Sequence, residues 1–366
     1  MVSIAGMIIW SIVSFSIHES EAASADIRLR TQALFTVLFE SPKPFGDKEG
    51  VIDNILPNIP DSKFYYGFSI RRSRFDLRGH TVTKSLRYRL QAEFAGASVS
   101  LLDFIIDYKF SDIFSIRAGQ YKIPYNREEL TSSGELEFVD RSVINSYFSP
   151  ARDIGMNVTL GPEMVKVNLG AFTGWGRGYV RVDKTNLNRN LLYVARVEIS
   201  PVGKMVYPQP NLKGEEAINI GLSAMLFPVS QVEIDNKKIS GRRDKSDVLR
   251  TIENRAQKTN LLSFSGDAKV WSGPLSFELE GHLTNLYDSN ILGIRIQPSY
   301  MFTQNIGLAF RFSSVLNEKD KPIFEPGIAF SYYFKDHTKL QVDYINQRGP
   351  RNKFASIRTQ FQIEVK

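Results

Sequence analysis

Residues 84–110 read KSLRYRLQAEFAGASVSLLDFIIDYKF, and their alternation decides the fold. Leu86, Tyr88, Leu90, Ala92 and Phe94 fall on one side of an extended chain, with Arg87, Arg89, Gln91 and Glu93 on the other. After a short Gly-containing break, Leu102, Phe104, Ile106, Tyr108 and Phe110 repeat the pattern against Asp103, Asp107 and Lys109. A period of two marks a strand with one apolar face, because successive side chains point to opposite sides. A strand of about ten residues with an oily face and a charged face fits a tilted bilayer crossing.

The same alternation recurs along the chain. Ile306, Leu308, Phe310 and Phe312 oppose Gly307, Ala309, Arg311 and Ser313. Ile328, Phe330, Tyr332 and Phe334 continue it, as do Ile357, Phe361, Ile363 and Val365 against Arg358, Gln360, Gln362 and Glu364. Sixteen such segments begin near Ile27, Phe64, Lys84, Leu101, Phe114, Asp153, Met164, Asn190, Ala217, Thr259, Pro274, Asn290, Ile306, Pro322, Thr338 and Lys353. Their connections sort by parity. Odd ones are mostly long (41–62, 124–152, 174–189, 228–258, 316–321, 347–352), with short ones near 96–100 and 287–289. Even ones are tight turns such as Ser111-Asp112, Ser272-Gly273 and Asp336-His337, with 201–216 as the exception. Short turns on one side and longer loops on the other are the habit of outer-membrane barrels. In hydrocarbon every backbone polar group must be paired internally, which a closed sheet achieves and an open one does not. The expected fold is therefore all-β: a transmembrane antiparallel up-and-down β-barrel of about 16 strands with short periplasmic turns and longer extracellular loops. About sixteen strands enclose a water-filled lumen rather than a packed core.

Composition agrees. The chain has 366 residues, 42% hydrophobic, 12% aromatic and 23% charged, with 46 Lys and Arg against 39 Asp and Glu. After residue 17 it offers no stretch of ~20 apolar residues for a membrane helix. It has no cysteine, which excludes disulfides, thiolate metal sites and a Cys nucleophile. Residues 4–17 (IAGMIIWSIVSFSI) suit the apolar core of a secretory signal, and Ala23-Ser24-Ala25 supplies the small residues of a cleavage site. Residues 1–25 are thus expected to be a signal peptide and 26–366 the barrel.

Basic residues gather early. Arg72, Arg74, Arg78, Arg87, Arg89 and Arg117 share the polar faces of three strands, and Lys122 sits where the fifth strand enters its loop. On one quadrant of a lumen they would attract anions, because guanidinium stays charged and its planar fork matches phosphate and carboxylate oxygens. The alternative is that each pairs with an inward acid such as Asp76, Glu93, Asp103 or Asp107 and leaves a neutral wall. The connection 124–152 is long and mixes apolar with charged residues, so it is expected to fold into the lumen and narrow it. Its charged residues include Arg127, Glu128, Glu129, Glu135, Glu137, Asp140, Arg141 and Arg152. Acids in excess there would set a field across the constriction against the basic wall.

The run 110–155, FSDIFSIRAGQYKIPYNREELTSSGELEFVDRSVINSYFSPARDIG, resembles the phosphate-selective porin O and P family. The matching elements are Arg-Ala-Gly-Gln-Tyr-Lys-Ile-Pro at the strand end, Arg-Glu-Glu-Leu-Thr-Ser-Ser at the loop start, Phe-Val-Asp-Arg-Ser at its centre and Arg152-Asp153-Ile154-Gly155 at its exit. Ile70-Arg71-Arg72-Ser73-Arg74 upstream belongs to the same likeness, which covers residues 68–171. The resemblance implies a sixteen-stranded, homotrimeric outer-membrane porin whose third loop and lumenal basic residues select small anions such as phosphate.

Nothing else in the sequence competes as a site. His18, His80, His282 and His337 are isolated, which argues against a metal centre, and no catalytic or cofactor-binding motif stands out, so neither enzyme nor cofactor is expected. The basic stretch 237–258 reads as a solvated loop able to meet lipopolysaccharide. Expected partners are the lipid bilayer, lipopolysaccharide, small anionic or polar solutes and the barrel-assembly machinery, with no nucleic acid. The competing reading is a non-conducting barrel used for binding, adhesion or assembly.

Overall fold

The computed structural model describes residues 23–39, 64–96, 98–174, 176–177, 191–229, 259–286, 289–318, 320–334, 338–350 and 353–365. The residues of the expected signal core, the stretch 237–258 and the Asp336-His337 turn lie outside them.

Sixteen antiparallel strands close into one barrel in simple sequential order, β1 (Ser24–Phe39) pairing with both β2 (Phe64–Thr81) and β16 (Lys353–Val365). Between them run β3 (Thr83–Glu93), β4 (Ser100–Ser111), β5 (Phe114–Lys122), β6 (Arg152–Leu160), β7 (Val165–Phe172), β8 (Leu192–Val202) and β9 (Ala217–Val229). β10 (Thr259–Ser272), β11 (Leu275–Leu286), β12 (Ser289–Met301), β13 (Ile306–Asn317), β14 (Asp320–Tyr333) and β15 (Lys339–Arg348) complete the ring. Each strand begins within three residues of the position expected from alternation. The closing register, Leu29 opposite Val365 through Phe39 opposite Ala355, leaves no sheet edge.

The usual burial order is inverted. Leu292, Ile294 and Tyr300 of β12 are exposed on the outside while Arg295, Gln297 and Ser299 are buried inside. Phe310, Phe312, Phe330, Tyr332, Phe361 and Ile363 likewise face out. Such an exterior is tolerable only against hydrocarbon. Aromatic pairs gather at the even turns: Phe110 with Phe114, Tyr300 with Phe302, and Tyr332 with Phe334. They form part of the girdle expected at a membrane interface.

Two details differ from the alternation. Leu102, placed by period with the lipid-facing residues, is buried, because a bulge makes it the extra residue between Leu101 and Asp103 where these pair with Ala92 and Gln91. The β13–β14 connection is also shorter than 316–321, since β13 continues to Asn317 and β14 starts at Asp320. Apart from the even link 203–216, the parity of loop length therefore holds best in the first two-thirds of the barrel, and in the last third the links are short at both ends.

Candidate pore and constriction

The β5–β6 connection folds into the barrel. It carries two short helices, α1 (Arg127–Leu130) and α2 (Val143–Phe148), and most of its side chains are buried. Helix α2 is capped by Ser142, whose hydroxyl accepts from Asn145 N and itself donates to Glu128 Oε2 at 2.5 Å. The last carbonyls of α1 are held by two cations: Lys122 Nζ reaches Glu129 O at 2.5 Å and Thr131 O at 2.9 Å, and Arg141 reaches Glu128 O at 2.9 Å and Thr131 O at 2.8 Å.

From there the loop is bonded to one side of the wall. Arg127 Nε meets Asp267 Oδ1 at 2.7 Å, and Arg196 Nη1 meets Asp267 Oδ2 at 2.7 Å, all three without solvent exposure. Glu128 lies near Arg295 at 3.6 Å, and Glu128 N donates to Glu280 Oε2 at 3.0 Å. Further along, Gln297 Nε2 donates to Glu137 Oε2 at 2.8 Å, Val139 N to Asp343 Oδ2 at 2.9 Å, and Val143 N to Glu325 Oε1 at 3.1 Å. Asp140 is gripped by Arg71 and Arg72, each at 2.8 Å, and by Arg358 at 3.0 Å. Phe148 stacks on the His282 ring at 4.9 Å between centroids, and Tyr125 donates or accepts with Ser263 at 2.6 Å. Thus the loop packs onto β8–β16 and β1–β2.

Charge states in the loop follow from these partners. Burial alone would raise the Asp140 carboxyl, but the surrounding arginines overcome it and hold the group well below the ordinary carboxylate range. Glu129 is lowered for the same balance of reasons, burial being outweighed by Arg141, Lys122 and Arg152. Glu137 moves the other way, raised chiefly by burial.

Open space lies against the opposite wall. A cavity of about 650 Å³ is lined by Arg87, Asp107, Arg117, Asn157 and Lys166 from β3–β7, with Leu130 and Tyr207 on the side of the filling segments. On this wall carboxylates are shared between two arginines. Asp76 takes Arg78 at 2.5 Å and Arg89 at 2.7 Å, Asp107 takes Arg87 at 2.6 Å and Arg117 at 2.9 Å, and Asp103 takes Arg152 at 2.7 Å and Arg89 at 3.3 Å. Side-chain exposures are 51% for Arg87, 43% for Arg117, 35% for Arg78 and 32% for Arg89, so these guanidiniums touch lumenal water while their carboxylates are nearly covered.

The residues singled out in the sequence therefore divide. Arg87 and Arg117 line the cavity, as does Lys122, and Arg78 and Arg89 lie on the same wall, joined through Asp76. Arg72 and Arg74 lie against the loop, Arg72 donating to Asp140 and to Gln32, and Arg74 to Ser133 and Glu93. Lys122 faces α1, and Arg152 closes the loop onto Asp103. Glu128 and Glu129 turn into the packed side against Arg295 and Arg141, Glu137 is held there by Gln297, and Asp140 is bound by Arg71, Arg72 and Arg358, so these four acids are engaged by partners rather than forming the free acidic lip expected of the loop. Alternation alone overlooked the receiving wall, Arg196, Asp267, Glu278, Glu280, Arg295 and Glu325. Only Arg295 is a lone charge in its strand, in Ile294-Arg295-Ile296 of β12, and that isolation was an available signal; Arg196 shares β8 with Glu198, Asp267 shares β10 with Lys269, and Glu278 and Glu280 share β11. Among the described residues no cluster of His, Asp and Glu could hold a metal ion.

A closed sixteen-stranded barrel with a lipid-facing apolar band, a polar lumen and an inward loop defines an outer-membrane channel of the porin type. Residues 61–216 match the model of the phosphate-selective porin O and P family, which bears out the likeness read in the sequence, and the protein is a bacterial outer-membrane protein. Among solved structures it resembles OmpT of Vibrio cholerae lacking loop L8, at 12% identity and a TM-score of 0.60, covering 94% of this chain and 100% of that one. It also resembles an anion-selective porin from Comamonas acidovorans (9% identity, TM-score 0.60, covering 94% and 99%). The outer-membrane channel DcaP of Acinetobacter baumannii is similar too (10% identity, TM-score 0.58, covering 93% and 98%). Identities this low carry the fold alone. No curated protein matches at the level of sequence.

Proposed function

We propose that this channel passes small hydrophilic solutes by diffusion and favours anions such as phosphate and small carboxylates. The observation that carries the reading is the sharing of single carboxylates by partly exposed arginines on the β2–β5 wall beside the cavity. Five arginines (Arg78, Arg87, Arg89, Arg117 and Arg152) meet three carboxylates, Arg89 serving two of them, so the wall keeps two positive charges in surplus and the water column runs beside fixed positive charge, which concentrates anions and repels cations. Arg78, Arg87, Arg89 and Arg117 guide the anions, while Arg72, Arg74, Lys122 and Arg152 act with Arg127, Glu128, Glu129, Asp140 and Arg141 to fix the constriction loop 124–152. The Comamonas neighbour is itself described as anion-selective, which supports the reading.

Residues 1–25 act as a signal peptide, and the barrel-assembly machinery inserts the remainder. β1 starts at Ser24, opposite His80, so cleavage after Ala25 removes its first two residues. A homotrimer in lipid and lipopolysaccharide is the working assembly. The trimer form of Vibrio OmpT supports it.

Purified protein in a planar bilayer under a salt gradient tests the function. Stepwise currents with a reversal potential on the anion side are expected. A barrel that inserts without conducting would instead be a binding or assembly protein, and a cation-side reversal potential would defeat the arginine reading.

A further inference from the structure

One connection breaks the rule that even-numbered links are tight turns: residues 203–216, between β8 and β9, enter the lumen from the end opposite to the loop 124–152. Their sequence, Tyr207-Pro208-Gln209-Pro210-Asn211, places two prolines about one glutamine. Proline fixes its own backbone and restrains the residue before it, so such a stretch is extended and loses little entropy on ordering. Gly203 and Gly214, with φ of +65° and +66°, begin and end the excursion. A side chain at Gly203 would run into Glu216 O at 2.3 Å, so the entry turn demands glycine.

Inside, Gln209 is 1% exposed and every polar group it has is used. Its N–H donates to Glu135 O at 3.1 Å, and its Oε1 accepts from Glu137 N at 2.8 Å and Gln297 Nε2 at 3.1 Å. Its own carbonyl accepts from Ser276 Oγ at 2.8 Å, Lys269 Nζ at 3.2 Å and Trp271 Nε1 at 3.3 Å. The neighbours add to the clasp: Thr131 Oγ1 donates to Tyr207 O at 3.0 Å and Arg127 Nη1 to Val206 O at 2.8 Å. Asn219 and Asn211 pin the two ends, Asn219 accepting from Val206 N at 2.9 Å and Asn211 donating to Gly273 O at 2.8 Å.

We propose that residues 203–216 are a second constriction element, a latch from the turn end that holds the loop 124–152 against the β10–β12 wall, with Gln209 as its positioning residue. The width of the conducting path is then set by two segments that meet in mid-barrel. Tyr207, which also lines the cavity and donates to Glu198 Oε1 at 2.8 Å, makes the rim on the latch side. The proposal needs a channel that conducts, and is indifferent to which ion it prefers.

Two measurements test it. In the naturally cysteine-free chain, a Glu135→Cys, Gln209→Cys pair should cross-link on mild oxidation, because those backbones are hydrogen-bonded; folded protein with no cross-link would put the segments apart and overturn the latch. In planar bilayers, Gln209→Ala should give open-channel noise and a conductance about two-fold above wild type, with Lys213→Ala, on the exposed outer part of the same segment, unchanged. Heat-modifiable migration on gels confirms that each variant is folded. Equal conductance and noise in wild type and folded Gln209→Ala would reduce the segment to a long turn, whereas a silent wild type would instead count against the channel itself.

Discussion

On the β11–β12 wall, Arg295 has Glu128 at 3.6 Å, Glu278 at 2.9 Å and Glu280 at 3.4 Å, and none of it reaches solvent. On the β3–β5 wall, Arg87 and Arg117 divide a single carboxylate and stand about half open to the lumen. The residue type is the same and the physics differs. Behind the loop, water is gone, so a charge is tolerable only when saturated by partners, and its role is to hold. Facing the lumen, water solvates what the partner leaves over, and the surplus charge remains available to a passing ion. Whether an arginine fastens or steers is decided by what covers it.

The largest effect should come from breaking the fastened side. Asp267 lies unexposed between Arg127 and Arg196. Asp267→Ala leaves both guanidiniums buried with their main counter-charge removed, and removing one partner of a buried pair costs about 3–5 kcal/mol. Urea unfolding in detergent, followed through the nearby Trp271, should show that loss. Arg87→Ala in the same assay should change stability little, and equal losses in the two variants would erase the distinction between the walls.

Next in size is the open side. Arg87→Glu together with Arg117→Glu puts three acids where one stood between two cations, and the ratio of anion to cation permeability should fall by on the order of ten-fold. Reversal potentials at low salt read this directly, since screening within ~10 Å at 0.1 M shrinks the effect. The same reversal at Arg72, which looked equivalent in the sequence, strikes Asp140 and should show up as a loosened loop rather than as altered selectivity.

That contrast marks what alternation can tell. It places Arg72, Arg78, Arg87, Arg89 and Arg117 on the polar faces of their strands, because a strand has only two faces and lipid claims one. It places all sixteen strands for the same reason. It cannot say which inward residues are covered, since cover comes from a segment many residues away in sequence that lands on a particular arc of wall. Glu128 thus reads as part of an acidic lip facing the channel and instead turns to Arg295, while Asp140 is taken up by Arg71, Arg72 and Arg358. The Pro-Gln-Pro stretch read as a long turn, because its partners, Glu135 and Glu137 among them, come from the other end of the barrel.

A smaller effect should follow acidification. The lowered carboxyls of Asp140 and Glu129 contribute stability that is present above their unfolded values, roughly 4, and is lost as pH falls from there toward the folded values. Glu137, raised by burial, acts with the opposite sign, because its neutral form is the one the folded site favours. Asp140, bound by three arginines, carries the largest of these shifts, so single-channel currents should be steady from neutral pH to about 5 and become noisier below about 4. Asp140→Asn should show that noise already at neutral pH.

The smallest effect separates partners of one carboxylate. Arg71 and Arg358 both reach Asp140, but Arg71 is 43% exposed whereas Arg358 is 14% exposed and also holds Asp343 at 2.7 Å. An exposed pair contributes about 0–1 kcal/mol, because water competes for both charges and the side chain loses freedom in making it. Arg71→Ala should therefore leave urea midpoints and current noise almost unchanged, whereas Arg358→Ala disturbs both, by stranding Asp343 as well as weakening the loop. If Arg71→Ala proved the more damaging of the two, exposure would not be what separates a fastening arginine from a dispensable one, and the assignment of Arg87 and Arg117 to the field would lose its basis along with it.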